Sequence, residues 1–209
     1  MPRPPPGRPV SPNDPCPFLR ALVGEGLLPD GTARLGDVAD AVARVGKAGD
    51  GSPRLPGAAI RAIALIANGL GPLDVARNAT GGLRLDALRG GPLDKQGAGS
   101  GILDANARVV RAELDRLDDF ASDRVDTEGR RERGLSLEDL RRMMDANFAR
   151  AAGRRRAIDR RLMDGEWPVL LKVMGKDGPG GRYLALSEVR DLFERRRLPA
   201  RMRARLATA

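Results

Sequence analysis

Aromatic residues make up only 3% of this 209-residue chain. Any core it builds must therefore come from Leu, Ala, Val, Ile and Met. Hydrophobic residues reach 41%, enough for the interior of one domain. Apolar positions recur at three- and four-residue spacing, and no stretch alternates with period two for long. That pattern predicts an all-α fold, a single helical domain of about seven to eight helices. Predicted helices open at Pro17 and cover 36–46, 57–69, 104–121, 136–152, 155–174 (broken near Gly165 and Pro168) and 186–197. Ser136, with Asp139 three residues on, reads as a near capping box. Residues 71–101 read as loop, 122–134 as a charged connection, and no internal repeat is visible.

Eight of the sixteen prolines fall in the first 17 residues. A run of this kind cannot be helical, so residues 1–14 are expected to form a proline-rich extended arm. The helical domain then spans 15–199, and 200–209 is a basic tail. No window has the roughly 18 apolar residues a membrane helix needs, so no membrane partner is expected. Met1-Pro2-Arg3-Pro4 lacks the apolar run of a secretory signal, which points to the cytoplasm.

Residue counts exclude much chemistry. With no histidine there is no Ser-His-Asp triad and no histidine-ligated zinc or haem. One cysteine allows no internal disulfide and no Cys-rich metal cluster. Cys16 is thus the only strong soft-metal ligand on offer. The formal charge is +9, and only four of the 37 cations are lysines. Charge alone would suit a basic helical nucleic-acid-binding protein. However, the arginines stand beside carboxylates on helix faces, and no base-reading motif or stacking aromatic accompanies them, so a nucleic-acid partner is not expected.

Cys16 lies in Pro15-Cys16-Pro17, just ahead of a helix that begins with Phe18 and Leu19. Unsatisfied N–H groups at a helix start favour a thiolate there. The stretch from Ser11 to Leu22, followed by Gly26-Leu27-Leu28-Pro29-Asp30-Gly31, resembles the N-terminal signature of the haem-thiolate peroxidase family, the chloroperoxidase and unspecific-peroxygenase group. Gly165-Glu166 before an apolar helix, the Gly-rich turn after it, and the segment from Leu186 to Pro199 resemble that family's later motifs in the same order. Gly134-Leu135-Ser136-Leu137 adds a third match.

The resemblance implies a thiolate-ligated haem b with Cys16 as axial ligand to the iron and Pro15, Pro17 and Phe18 around it. It implies that Glu166 acts as acid–base on hydrogen peroxide, and that a small organic substrate is oxidised. The resemblance places an arginine seven residues before the glutamate; Asp159 stands there, and Arg160 or Arg161 beside it is the candidate charge stabiliser. In place of the family's Mg²⁺ or Mn²⁺ motif stands Ile102-Leu103-Asp104-Ala105-Asn106, which leaves that metal doubtful. Asp104 reads as a helix cap, and Arg108 as a partner for a haem propionate. Asp104 also opens like an EF-hand loop, but Val109 and Asp115 occupy the positions of its glycine and glutamate. Glu25 stands where the family has histidine. The alternative reading is a catalytically inert haem-binding or structural relative.

Overall fold

The computed structural model describes residues 8–49, 80–90 and 99–208. The helix expected over 57–69 and most of the loop expected over 71–101 lie outside them.

Helix α1 (Pro17–Gly24) starts where the sequence places it, with Pro17 in the first turn. There its fixed φ suits the helix and its missing N–H costs nothing. The helix buries Ala21, Leu22 and Val23. Helix α2 (Leu35–Ala48) buries the Val38, Val42 and Val45 stripe. Between them β1 (Thr32–Ala33) pairs antiparallel with β2 (Leu83–Arg84), which runs into a 3-10 turn over Leu85–Ala87.

The second half begins with two short helices, α3 (Arg111–Asp115) and α4 (Leu117–Phe120). Next come β3 (Ser122–Val125) and β4 (Arg131–Ser136), then α5 (Leu137–Arg150) and α6 (Ala157–Met174). The chain ends with β5 (Tyr183–Ala185), α7 (Leu186–Arg190), a π-helical turn over Asp191–Arg195, and α8 (Ala200–Ala207). Strand β4 is central in an antiparallel sheet ordered β3-β4-β5.

These two sheets overturn the all-α expectation: the fold is mixed α and β. The three-stranded sheet escapes a hydrophobicity reading because its outer hairpin is polar. Residues 122–134, expected as a charged connection, alternate Arg and carboxylate along the strands. Local hydrogen bonds close the hairpin. Asp126 Oδ1 accepts the N–H groups of Glu128 and Arg130, each at 2.9 Å, and Gly129 takes φ +80°. The Arg130 backbone bond, followed by the Arg130 guanidinium and the Glu128 N–H, holds the Asp126 carboxyl well below the usual range. Lys176 ties Asp126 (3.4 Å) to Glu132, whose Oε1 also accepts the Tyr183 hydroxyl at 2.8 Å. This polar cluster ties the hairpin to β5, beside the buried Leu135–Leu184 pair.

Other boundaries shift as well. The helix expected from 104 begins at Arg111. Asp104 caps a tight reversal instead: its Oδ1 accepts the N–H of Asn106 and of Arg108, both at 2.8 Å. Local bonds of this kind offer the backbone an alternative to helix. Helix α6 runs unbroken through Gly165 and Pro168. Its buried face of Met163, Trp167, Leu170, Leu171 and Met174 outweighs a proline penalty of about 3 kcal/mol. The Ser136 capping box at α5 forms as expected. Residues 200–207 are helix rather than loose tail, with Met202 fully buried and the Arg205 guanidinium on the Ala48 carbonyl at 3.1 Å. Among the described residues no helix is long and apolar enough to cross a membrane.

Gly24 ends α1 against the carbonyl of Arg196, itself left-handed at φ +53°. A Cβ at Gly24 would sit 2.3 Å from that oxygen. Gly24→Ala should therefore lose about 1–3 kcal/mol in urea unfolding. Gly31→Ala, whose Cβ meets nothing within 4 Å, should stay within about 0.5 kcal/mol of wild type.

Candidate functional site around Cys16

The residues before α1 are fixed by a small polar knot. The Ser11 N–H donates to both Asp30 carboxylate oxygens, at 2.9 and 3.0 Å. Asp14 is fully buried, and its Oδ1 accepts the Cys16 N–H at 3.0 Å. Arg20, also buried, reaches back from α1 to donate to the carbonyls of Ser11 and Asp14, both at 3.1 Å. The arm is thus bonded down along 8–16, without helix, as its prolines require.

The same knot recruits the loop after residue 101. Arg20 Nη2 donates to the Ala107 carbonyl at 3.4 Å, and Arg89 Nη2 to the Asp104 carbonyl at 3.0 Å. The Arg89 N–H bonds the Asn13 carbonyl at 2.8 Å. The Cys16 arm and the Asp104–Arg108 reversal therefore share one cluster.

Cys16 is the N-cap residue of α1, with extended backbone (φ −84°, ψ 112°). Its thiol is pushed up to about 12, first by burial and next by the Asp14 carboxylate. The N–H groups of Leu19 and Phe18 pull the other way, but as dipoles near the sulfur rather than as a capping hydrogen bond. Glu166 is close enough to add a further upward push, so the fold places Cys16 and Glu166 within electrostatic reach of each other. Packing explains this. Trp167, beside Glu166, lies 6.3 Å from Phe193 in the π turn, and that turn packs on α1. Pro17 is buried, while Pro15 and Phe18 are half-buried beside the cysteine.

The other expected residues divide. Arg160 bridges Asp145 at 2.7 Å and Asp164. These partners lie on α5 and on its own helix, so its charge is already engaged. Arg161 is exposed. The Asp104 carboxylate is used by its own reversal, and Asn106 and Arg108 are exposed. This donor set does not fit Mg²⁺ or Mn²⁺, and among the described residues no acidic, His or Cys cluster could hold a metal ion. Glu25, at the family's histidine position, accepts from Arg197 Nε at 2.8 Å and from the Leu198 N–H at 3.1 Å. It anchors the C-terminal segment.

Asp14 is the residue the sequence reading missed. Its only signal was a carboxylate two places ahead of the cysteine, which any turn could supply. Its Oδ2 is buried without a hydrogen-bond partner, and burial raises its pKa from 3.8 to about 7, Arg20 and Arg89 notwithstanding. Toward a haem the chain offers a single soft donor, the free thiol of Cys16. One thiol at a helix start faces two N–H dipoles, with a carboxylate within reach. A thiol this high is protonated near neutral pH, so a bound cation must displace its proton.

No family profile, curated protein or solved structure matches the chain.

The raised Asp14 carboxyl makes a directional prediction. Its neutral form stabilises the fold below the unfolded value near 3.8, and that contribution is lost as pH rises through about 7. Asp14→Asn keeps the acceptor and removes the charge. Its thermal midpoint should rise relative to wild type from pH 4 to pH 8, with a ceiling on the order of 4 kcal/mol. A midpoint difference that is flat with pH would contradict the assignment.

Proposed function

We propose that the chain is a haem-thiolate peroxidase or peroxygenase, using hydrogen peroxide to oxidise small organic molecules. The observation that carries this reading is the placing of Cys16 at the head of α1 with Glu166 in electrostatic reach. Cys16 would hold the haem b iron, with Pro17 and Phe18 against the ligand turn. When bound, the haem supplies the iron centre where peroxide is activated, and a thiolate ligand favours O–O cleavage. Glu166 takes a proton from one peroxide oxygen and returns it to the other, so that water can leave. Asp14 and Arg20 hold the ligand turn rigid through the Cys16 N–H and the Asp14 carbonyl. No role in this chemistry is kept for Arg160, given its ion pairs with Asp145 and Asp164.

A haem-binding but inert relative is the second reading, favoured by the strongly raised Cys16 thiol. The nucleic-acid reading loses ground because so many arginines are paired, among them Arg150 with Glu113 and Arg190 with Asp115.

Protein expressed with haem supply should show the red-shifted Soret band of a thiolate-ligated ferrous carbonyl complex. Cys16→Ala should abolish it. Glu166→Gln should keep the band and lose about 100-fold or more of peroxide-dependent dye oxidation. Absence of haem uptake, or a band indifferent to Cys16, would contradict the ligand assignment. An unchanged rate in Glu166→Gln would remove Glu166 from the mechanism, and a wild type that binds haem without peroxide-dependent turnover would leave only the inert reading.

A further inference from the structure

The sheet register reveals a repeat that the sequence pattern hides. Leu135 on β4 pairs directly with Leu184 on β5, flanked by Gly134↔Ala185 and Ser136↔Tyr183. A leucine then opens the next helix in each case, Leu137 for α5 and Leu186 for α7. Two residues further on stands a carboxylate, Asp139 or Glu188, and an aliphatic residue follows, Leu140 or Val189. A helix leads into each unit: α6 directly before β5, and α3 and α4 before the β3–β4 hairpin. Two helix–loop–helix units thus face each other across one short antiparallel ladder.

This is the arrangement of paired EF-hands, helix–loop–helix units closed around a 12-residue cation loop. Counting back eleven places from Glu188 gives Asp177, so Asp177–Glu188 has the full loop length, with the acid at both position 1 and position 12. Leu184 is then position 8, the residue that makes the ladder. The other positions have changed. Pro179 and Gly181 stand at 3 and 5, where carboxylates are expected, and Arg182 stands at 6 in place of glycine. The first unit reaches its ladder through the β3–β4 hairpin, so its connection is longer than twelve residues, and Asp139 stands at the place that corresponds to Glu188.

Arginine takes up the connections a cation would make. Arg182 Nη1 grips both oxygens of Asp177 at 2.9 Å, while its Nε and Nη2 bond the Leu171 and Lys172 carbonyls that end α6. Arg201 binds Glu188 through two bonds, 2.9 and 3.0 Å, and also reaches the Met174 carbonyl. Together they tie the end of the entering helix to positions 1 and 12. In the first unit Asp139 receives Arg124 at 2.6 Å, Arg142 at 2.5 Å and the Ser136 hydroxyl at 2.8 Å.

We propose that residues 111–195 form an EF-hand-like pair in which guanidinium groups replace the divalent cation, so that the pair is clamped in one state whatever the calcium level. The clamp also fixes α6, the helix that carries Glu166. It does not depend on the haem reading.

The test is calcium and terbium titration of the full chain, read by thermal midpoint, far-UV circular dichroism and terbium luminescence. Wild type should show no stoichiometric uptake and no midpoint shift in millimolar calcium. A chain carrying Pro179→Asp, Gly181→Asp, Arg182→Gly and Arg201→Ala regains the acidic positions. It should bind one ion with Kd in the roughly micromolar-to-millimolar range, and calcium should raise its midpoint, or restore its helix signal if the metal-free chain is unfolded. Stoichiometric calcium uptake by wild type would overturn the proposal, as would a four-substitution chain that shows no response to either ion. Independently, Arg201→Lys keeps the charge but loses the fork. It should lower the midpoint by several degrees in a calcium-insensitive way, and an unchanged midpoint would overturn the clamp.

Discussion

Arg182 and Arg201 close the end of α6 by donating to its last carbonyls and to the carboxylates of the following loop at the same time. Helix ends leave such carbonyls without partners, and a planar fork of donors can serve them and a carboxylate together. The same device recurs around Cys16. Arg20 holds the Ser11 and Asp14 carbonyls and reaches Ala107, while Arg89 joins Asn13 to Asp104. The arrangement follows from composition. With so few aromatics and so many arginines, the chain fixes its loops with bidentate polar contacts and leaves Leu, Ala, Val and Met to fill the core.

The helices were legible because their apolar faces repeat at helical spacing. Val38, Val42 and Val45 on α2, and Leu140 and Met144 on α5, lie where that spacing puts them, and all are buried. The strands were not. Only Gly134 and Leu135 of β4 are buried, and β3 alternates half-buried with exposed positions, so the period-two signal drowns in charge. Leu135 and Leu184 are the buried pair of the β4–β5 ladder, and the charged hairpin before β4 hid the repeat between 135–140 and 184–189. Proline and glycine misled in α6, where tertiary burial overrode the local preference. The tail misled for the opposite reason. Its one buried anchor, Met202, is too little to stand out among arginines.

Around Cys16 the sequence located the start of α1, because a proline in the first turn is a local feature. The surroundings of Arg160 were not legible. Arg160 faces Asp145 and Asp164, and which side of α6 it takes follows from the packing of α5. Asp104 was recognised as a cap, but of a reversal rather than a helix. Asp14 was invisible because its importance lies in complete burial, a property of the assembled knot and not of the residue.

The proposed function requires that Cys16 become a thiolate only when a metal centre takes up its charge. Burial and two nearby carboxylates hold the free thiol up to about 12, so it carries its proton throughout the neutral range. Haem binding should then release close to one proton per site at pH 7, measured by calorimetric titration in buffers of different ionisation enthalpy, and that release should vanish in Cys16→Ala. Haem uptake with no proton release, or with the same release in both proteins, would contradict thiolate ligation by this cysteine.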